Sequence, residues 1–107
     1  MPRQVLLQPA SRSAGTASSA SLRLDEDSSI AAYVNITAIT GNVVVRVQES
    51  DDQGNTWVDA KVSASLSTTG GTVLRFTGPI TGLVRANYTV TTGPVAFSVA
   101  LRYSGAL

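Results

Sequence analysis

From about residue 21 onward, apolar and polar positions alternate with period two. Ile30, Ala32, Val34, Ile36 and Ala38 interleave with Ala31, Tyr33, Asn35, Thr37 and Ile39. Val43, Val45 and Val47 interleave with Val44, Arg46 and Gln48. Val84, Ala86, Tyr88 and Val90 interleave with Arg85, Asn87 and Thr89, and Val95, Phe97, Val99, Leu101 and Tyr103 with Ala96, Ser98, Ala100 and Arg102. In a β-strand successive side chains point to opposite faces, so each set predicts a strand with one buried face. Ser21–Leu24, Trp57–Leu66 and Thr72–Thr77 are weaker strand candidates.

Turn formers separate the runs. Gly41-Asn42 splits the first pair, Thr69-Gly70-Gly71 and Thr77-Gly78-Pro79 bracket a short strand, and Gly93-Pro94 precedes the last. Short strands punctuated every ~8–12 residues predict an all-β fold, an antiparallel β-sandwich of seven to eight strands. The pattern leaves a jelly-roll and an immunoglobulin-like order equally open. No internal repeat is visible, which argues against a propeller or solenoid.

The first twenty residues differ. Pro2, Pro9 and Gly15 interrupt them, Ser, Ala and Thr dominate residues 11–21, and only Val5-Leu6-Leu7 has strand character. Residues 1–20 are expected to be an extended, flexible N-terminal arm, with an arm that orders on a neighbouring subunit as the functional alternative, and the sandwich domain to span residues 21–107. The apolar run is too short for a signal peptide, and no stretch reaches transmembrane length.

Composition narrows the chemistry. The 107 residues contain no Cys and no His. Thiol nucleophiles, imidazole bases, Ser-His-Asp triads, zinc sites and disulfides are therefore unavailable within the chain. Lys and Arg number 8 against 7 Asp and Glu, a net charge of +1 that suggests neither a nucleic-acid nor a membrane partner. Charged residues make up 14% of the chain, against about 25% in an average soluble protein. So few charges suit a surface that is covered in an assembly. No catalytic residue, cofactor, metal site or small-molecule substrate is predicted.

One local motif is sharp. Ser50, Asp52, Gly54, Thr56 and Trp57 fit S-x-D-x-G-x-T-W at every fixed position, which resembles the Asp-box of sialidases and other β-proteins. Asp52 is suited to accept backbone N–H groups inside a tight turn, and Gly54 to take a backbone angle other residues resist. Trp57 is expected to fold over the turn, making residues 50–57 a hairpin with its own small core. The motif specifies structure more than function. A single copy in so short a chain does not build a sialidase propeller. Asp51, Asp52 and Asp59 lack EF-hand spacing. Asp25-Glu26-Asp27, the only acidic run, is expected to solvate a loop or a strand end.

Taken together, Val34 to Gly41, Val43 to Trp57, Leu74 to Pro79, Leu83 to Tyr88 and Gly93 to Val99 resemble a family of small virion proteins of tailed bacteriophages. The resemblance covers roughly residues 30–103. It implies a non-enzymatic capsid decoration or cement protein that binds the major capsid protein on the capsid exterior, stabilises the head, and associates with itself as a homotrimer. It implies synthesis in the host cytoplasm and no nucleic-acid, membrane or small-molecule partner. A tail, neck or fibre component is the alternative, and a carbohydrate-binding sandwich a more distant one.

If the alternation holds, Arg46, Arg75, Arg85 and Arg102 fall on outward faces, and Tyr33 does too. Seven of the eight basic residues are Arg, whose planar fork makes directed bonds to carboxylates. These five are the interface candidates. Tyr88 and Tyr103 are expected on core faces. The sequons at Asn35 and Asn87 lie inside strands and are read as chance.

Overall fold

The computed structural model describes residues 3–28, 30–75 and 80–103. These residues form nine strands: β1 (Arg3–Arg12), β2 (Gly15–Ser18), β3 (Leu22–Ser28), β4 (Ile30–Ile39), β5 (Asn42–Ser50), β6 (Val58–Val62), β7 (Gly70–Arg75), β8 (Ile80–Thr92) and β9 (Val95–Tyr103). They pair antiparallel into two sheets, one ordered β1-β9-β4-β7, the other β2-β8-β5-β6 with β3 also on β8. The Thr77-Gly78-Pro79 turn and residues 104–107 lie outside the described residues, as do the side chains of Asp25-Glu26-Asp27.

The strand order separates the two topologies that the sequence left open. Every connection crosses from one sheet to the other except β2 to β3 and β5 to β6. That interlocked order is a jelly-roll. An immunoglobulin-like sandwich would instead set the first two strands side by side. The Gly41-Asn42 and Gly93-Pro94 turns are therefore inter-sheet crossovers, and only the Ser50–Trp57 segment closes a hairpin. Gly41 is required at its crossover by close approach, because a Cβ there would lie 2.1 Å from the Thr92 carbonyl oxygen.

The inward parities are those the alternation predicts. Ile30, Ala32, Val34 and Ile36 of β4 meet Val43, Val45 and Val47 of β5, with Val84, Ala86 and Val90 of β8 and Val95, Phe97, Val99 and Leu101 of β9. Tyr88 and Tyr103 are half-buried against this core. Ala38 departs from the pattern. A register shift between Ile36 and Ala38 turns it to solvent, since one extra residue in a strand inverts the facing of all that follow.

The arm expected over residues 1–20 is extended, but it belongs to the sandwich. β1 pairs with β9 as an edge strand, and β2 pairs with β8. Hydrogen bonding holds it where hydrophobic periodicity gave no signal. The Thr16 and Thr89 hydroxyls lie 2.9 Å apart, and Asn87 Nδ2 donates to Ser18 Oγ at 2.7 Å. Leu7 adds a buried anchor.

A short repeat, missed in the sequence, shapes both sides of the second sheet. Ser-Ala-Ser-Leu occurs at residues 19–22 and 63–66. In the first copy Ser19 N–H donates to the Ala86 carbonyl at 2.8 Å, and Ala86 N–H donates to Ser19 Oγ at 2.9 Å. In the second copy Ser63 treats Val45 the same way, both distances being 2.9 Å. Each Ser hydroxyl donates to the carbonyl of the next Ala, at 2.8 and 2.7 Å. Three residues further on in each copy, Leu22 pairs with Val84 and Leu66 with Val43. Three chain steps thus span two partner residues, as in a β-bulge, and the hydroxyl takes over one ladder bond.

Candidate interaction surfaces

The Ser50–Trp57 hairpin is organised by two side chains. Ser50 ends β5, is 4% exposed, and accepts from Gly54 N–H at 2.9 Å while donating to Asp52 Oδ1 at 2.8 Å. Asp52 Oδ1 accepts Thr56 N–H at 3.0 Å, and Oδ2 accepts the Thr56 hydroxyl at 2.6 Å. The Thr56 hydroxyl, the Thr56 amide and Ser50 together hold the Asp52 pKa down at about 2, with burial opposing them. Gln53 and Gly54 both adopt left-handed backbone, at φ 65° and 89°. A Cβ on Gly54 would meet nothing nearer than 3.6 Å, so the angle and not the space calls for glycine there.

Trp57 is half-buried. Its Cζ2 lies at that same 3.6 Å from the Gly54 position, and the Arg85 guanidinium sits 4.2 Å from the ring centroid. Arg85 Nε also donates to Gln48 Oε1 at 2.9 Å, and Gln48 Nε2 donates to Asp59 Oδ1 at 2.8 Å. The hairpin is thereby tied to the outer face of its sheet. Asp52 and Asp59 each serve a neutral neighbour, and among the described residues no three His, Cys, Asp or Glu groups gather as metal ligands.

The five interface candidates separate into two groups. Arg46 and Arg85 lie on the outer face of the β2-β8-β5-β6 sheet, and both are engaged within the chain. Arg46 Nη1 donates to Asn87 Oδ1 at 3.1 Å and to Thr89 Oγ1 at 2.9 Å. Tyr33, Arg75 and Arg102 lie together on the outer face of the other sheet. There the pairing registers draw two parallel rows across the four strands. One runs Val5, Ala100, Tyr33, Val73, and the next runs Arg3, Arg102, Ala31, Arg75. Arg102 sits 5.8 Å from the Tyr33 ring centroid, a cation–π contact, and Arg75 is exposed. Ser98, Asn35 and Gly71 form a third, small and uncharged row.

Two further residues were not singled out in the sequence. Arg12 at the end of β1 donates to the carbonyls of Phe97, Gln8 and Ala10 and stacks on Phe97 and Tyr88, whose rings meet edge to face. Arg23 Nη2 donates to Gln53 Oε1 at 2.8 Å. Isolated arginines in a strand carry no local signature that says which partner they will find.

No protein-family model and no curated protein matches the chain. Among solved structures it is similar to the crystal structure of PirA, with a TM-score of 0.59 and 13% identity over 96% of this chain and 92% of that one. It also aligns with the structure of infectious bursal disease virus Gx strain, at a TM-score of 0.48 and 10% identity, over 94% of this chain and 32% of that one. At such identities the likeness to PirA is one of fold. The chain is an antiparallel β-sandwich of jelly-roll order.

Proposed function

We propose that the chain is a non-enzymatic structural protein of a tailed-bacteriophage virion, a capsid decoration protein that sits on the capsid exterior against the major capsid protein and stabilises the head. In this reading it works as a homotrimer, an oligomer number supplied by the family resemblance. The observation that carries the reading is the outer face of the β1-β9-β4-β7 sheet. It is four strands wide, lined by small uncharged residues with Tyr33, Val73 and arginines, and none of the chain's acids lies on its strands. Such a face suits packing against protein without burying an unpaired carboxylate.

A carbohydrate-binding role finds less support, because Arg85 stacks on Trp57 where a sugar ring would have to lie. A tail, neck or fibre position uses the same surfaces and differs only in location. Mass spectrometry of purified virions, followed by density mapping of the particle, tests the proposal. The chain is expected in stoichiometric copies on the head. Its absence from particles would overturn the reading, and density on the tail would move it to the alternative.

A further inference from the structure

The net charge of +1 conceals a strong asymmetry. The strands of the β1-β9-β4-β7 sheet carry Arg3, Arg12, Arg75 and Arg102 and no acid. The rest of the chain carries Arg23, Arg46, Arg85 and Lys61 with all seven acids. One half is therefore +4 and the other −3. Arg12 is folded over Phe97, which leaves Arg75 and Arg102 as the described charge of the outer face. Neither Arg75 nor Arg102 has a hydrogen-bond or ion-pair partner among the described residues.

We infer that this face is the site at which a second copy of the chain docks, head to tail, through the acidic half that carries the β2-β8-β5-β6 sheet. Three observations choose that occupant. The complement is present in the same molecule: Asp51 and Asp59 are exposed on that half, and Asp52 beside them is held ionised by Thr56 and Ser50. A symmetric contact of the arginine face with itself would bring like charges together, so the contact must join unlike surfaces, and such a head-to-tail contact is the kind from which a ring is built when its rotation closes. The face is also large enough. Four strands at ~4.8 Å spacing and nine residues of β9 at ~3.3 Å give on the order of 600 Å², the low end of what one partner contributes to a stable interface. Tyr33 under Arg102 supplies the aromatic and arginine pair that commonly anchors such contacts.

The inference rests on the self-association in the proposed function but not on the virion, and its test uses the isolated chain. Sedimentation equilibrium at low salt is expected to show an oligomer that dissociates as NaCl rises towards about 0.5 M, where exposed charges are screened within a few ångströms. The double variant Arg75→Glu, Arg102→Glu should weaken association at least about tenfold, while Arg23→Glu, which adds an acid to the docking half, should not weaken it. Retention of the wild-type thermal transition and of the Trp57 emission shows that each variant folds. A wild-type chain that stays monomeric at every concentration and salt would overturn the inference and assign the face to an acidic surface of another protein. An oligomer indifferent to the double reversal would overturn it equally. Absence from virions would remove the functional reading and leave the oligomer in place.

Discussion

Ser63 stands opposite Val45 and satisfies both of its backbone groups, donating its own N–H to the Val45 carbonyl and accepting the Val45 N–H on its hydroxyl. Ser63 is 8% exposed and the Val45 side chain fully buried, so water is a poor substitute there. Ser63→Ala should leave the Val45 N–H unpaired and destabilise the fold by about 1–3 kcal/mol. Ser19→Ala removes the equivalent acceptor for Ala86, but Ser19 is half-buried, so the loss should be the smaller of the two. Urea midpoints of both variants check the order. A Ser63→Ala protein as stable as wild type would mean that the hydroxyl carries no ladder bond.

The Asp52 carboxylate gives the hairpin a pH dependence of definite sign. Its folded pKa is about 2, below the ordinary carboxylate value of 3.8, because Thr56 and Ser50 hydrogen-bond the charged form. A depressed carboxylate contributes stability that is full above the unfolded pKa and is lost as pH falls through the folded one. The window is therefore pH 4 down to about 2. Thermal midpoints of wild type should fall across it more steeply than those of Asp52→Asn, whose side chain does not titrate. Thr56→Ala should move the Asp52 titration, followed by NMR, up towards the ordinary carboxylate range. Parallel pH curves for wild type and Asp52→Asn would separate the carboxylate from the stability of the hairpin.

How far the sequence reveals this fold depends on which force orders each segment. β4, β5, β8 and β9 are legible because burial alternates residue by residue, and the parity of Val43, Val45 and Val47 is the parity of the core. Parity also puts Arg46, Arg75, Arg85 and Arg102 outside. It does not tell which sheet each joins, since Gly41-Asn42 and Gly93-Pro94 look like hairpin turns and are inter-sheet crossovers. The split of Tyr33, Arg75 and Arg102 from Arg46 and Arg85 was invisible for that reason. β1 and β2 look like an arm in the sequence because Thr16, Ser18, Ser19 and Arg12 hold them by hydrogen bonds to distant strands, which hydrophobic periodicity does not register. The Asp52 hairpin was legible because all its partners lie within six residues of one another.

Arg12 clasps the end of β1 to β9. Its guanidinium closes the end of β1 by donating to the Phe97 carbonyl, to Gln8 O at 2.7 Å and to Ala10 O at 3.0 Å. It also sits 4.5 Å from the Phe97 ring centroid and 5.6 Å from that of Tyr88. β1 is an edge strand broken by two register shifts, so its ladder alone is a weak attachment. Charge-assisted hydrogen bonds contribute ~1.5–3 kcal/mol and cation–π stacking ~0.5–2, without simple additivity. Arg12→Ala should therefore cost about 2–3 kcal/mol, and the loss should be local. Hydrogen exchange is expected to accelerate in residues 3–18 while β5 and the core of β8 keep their protection. Arg12→Lys retains the charge but lacks the planar fork that reaches several carbonyls at once, so it should recover less than half of the loss. Acceleration spread evenly over all strands would show instead that β1 and β2 unfold only with the whole domain, and that Arg12 contributes to global stability without acting as a clasp.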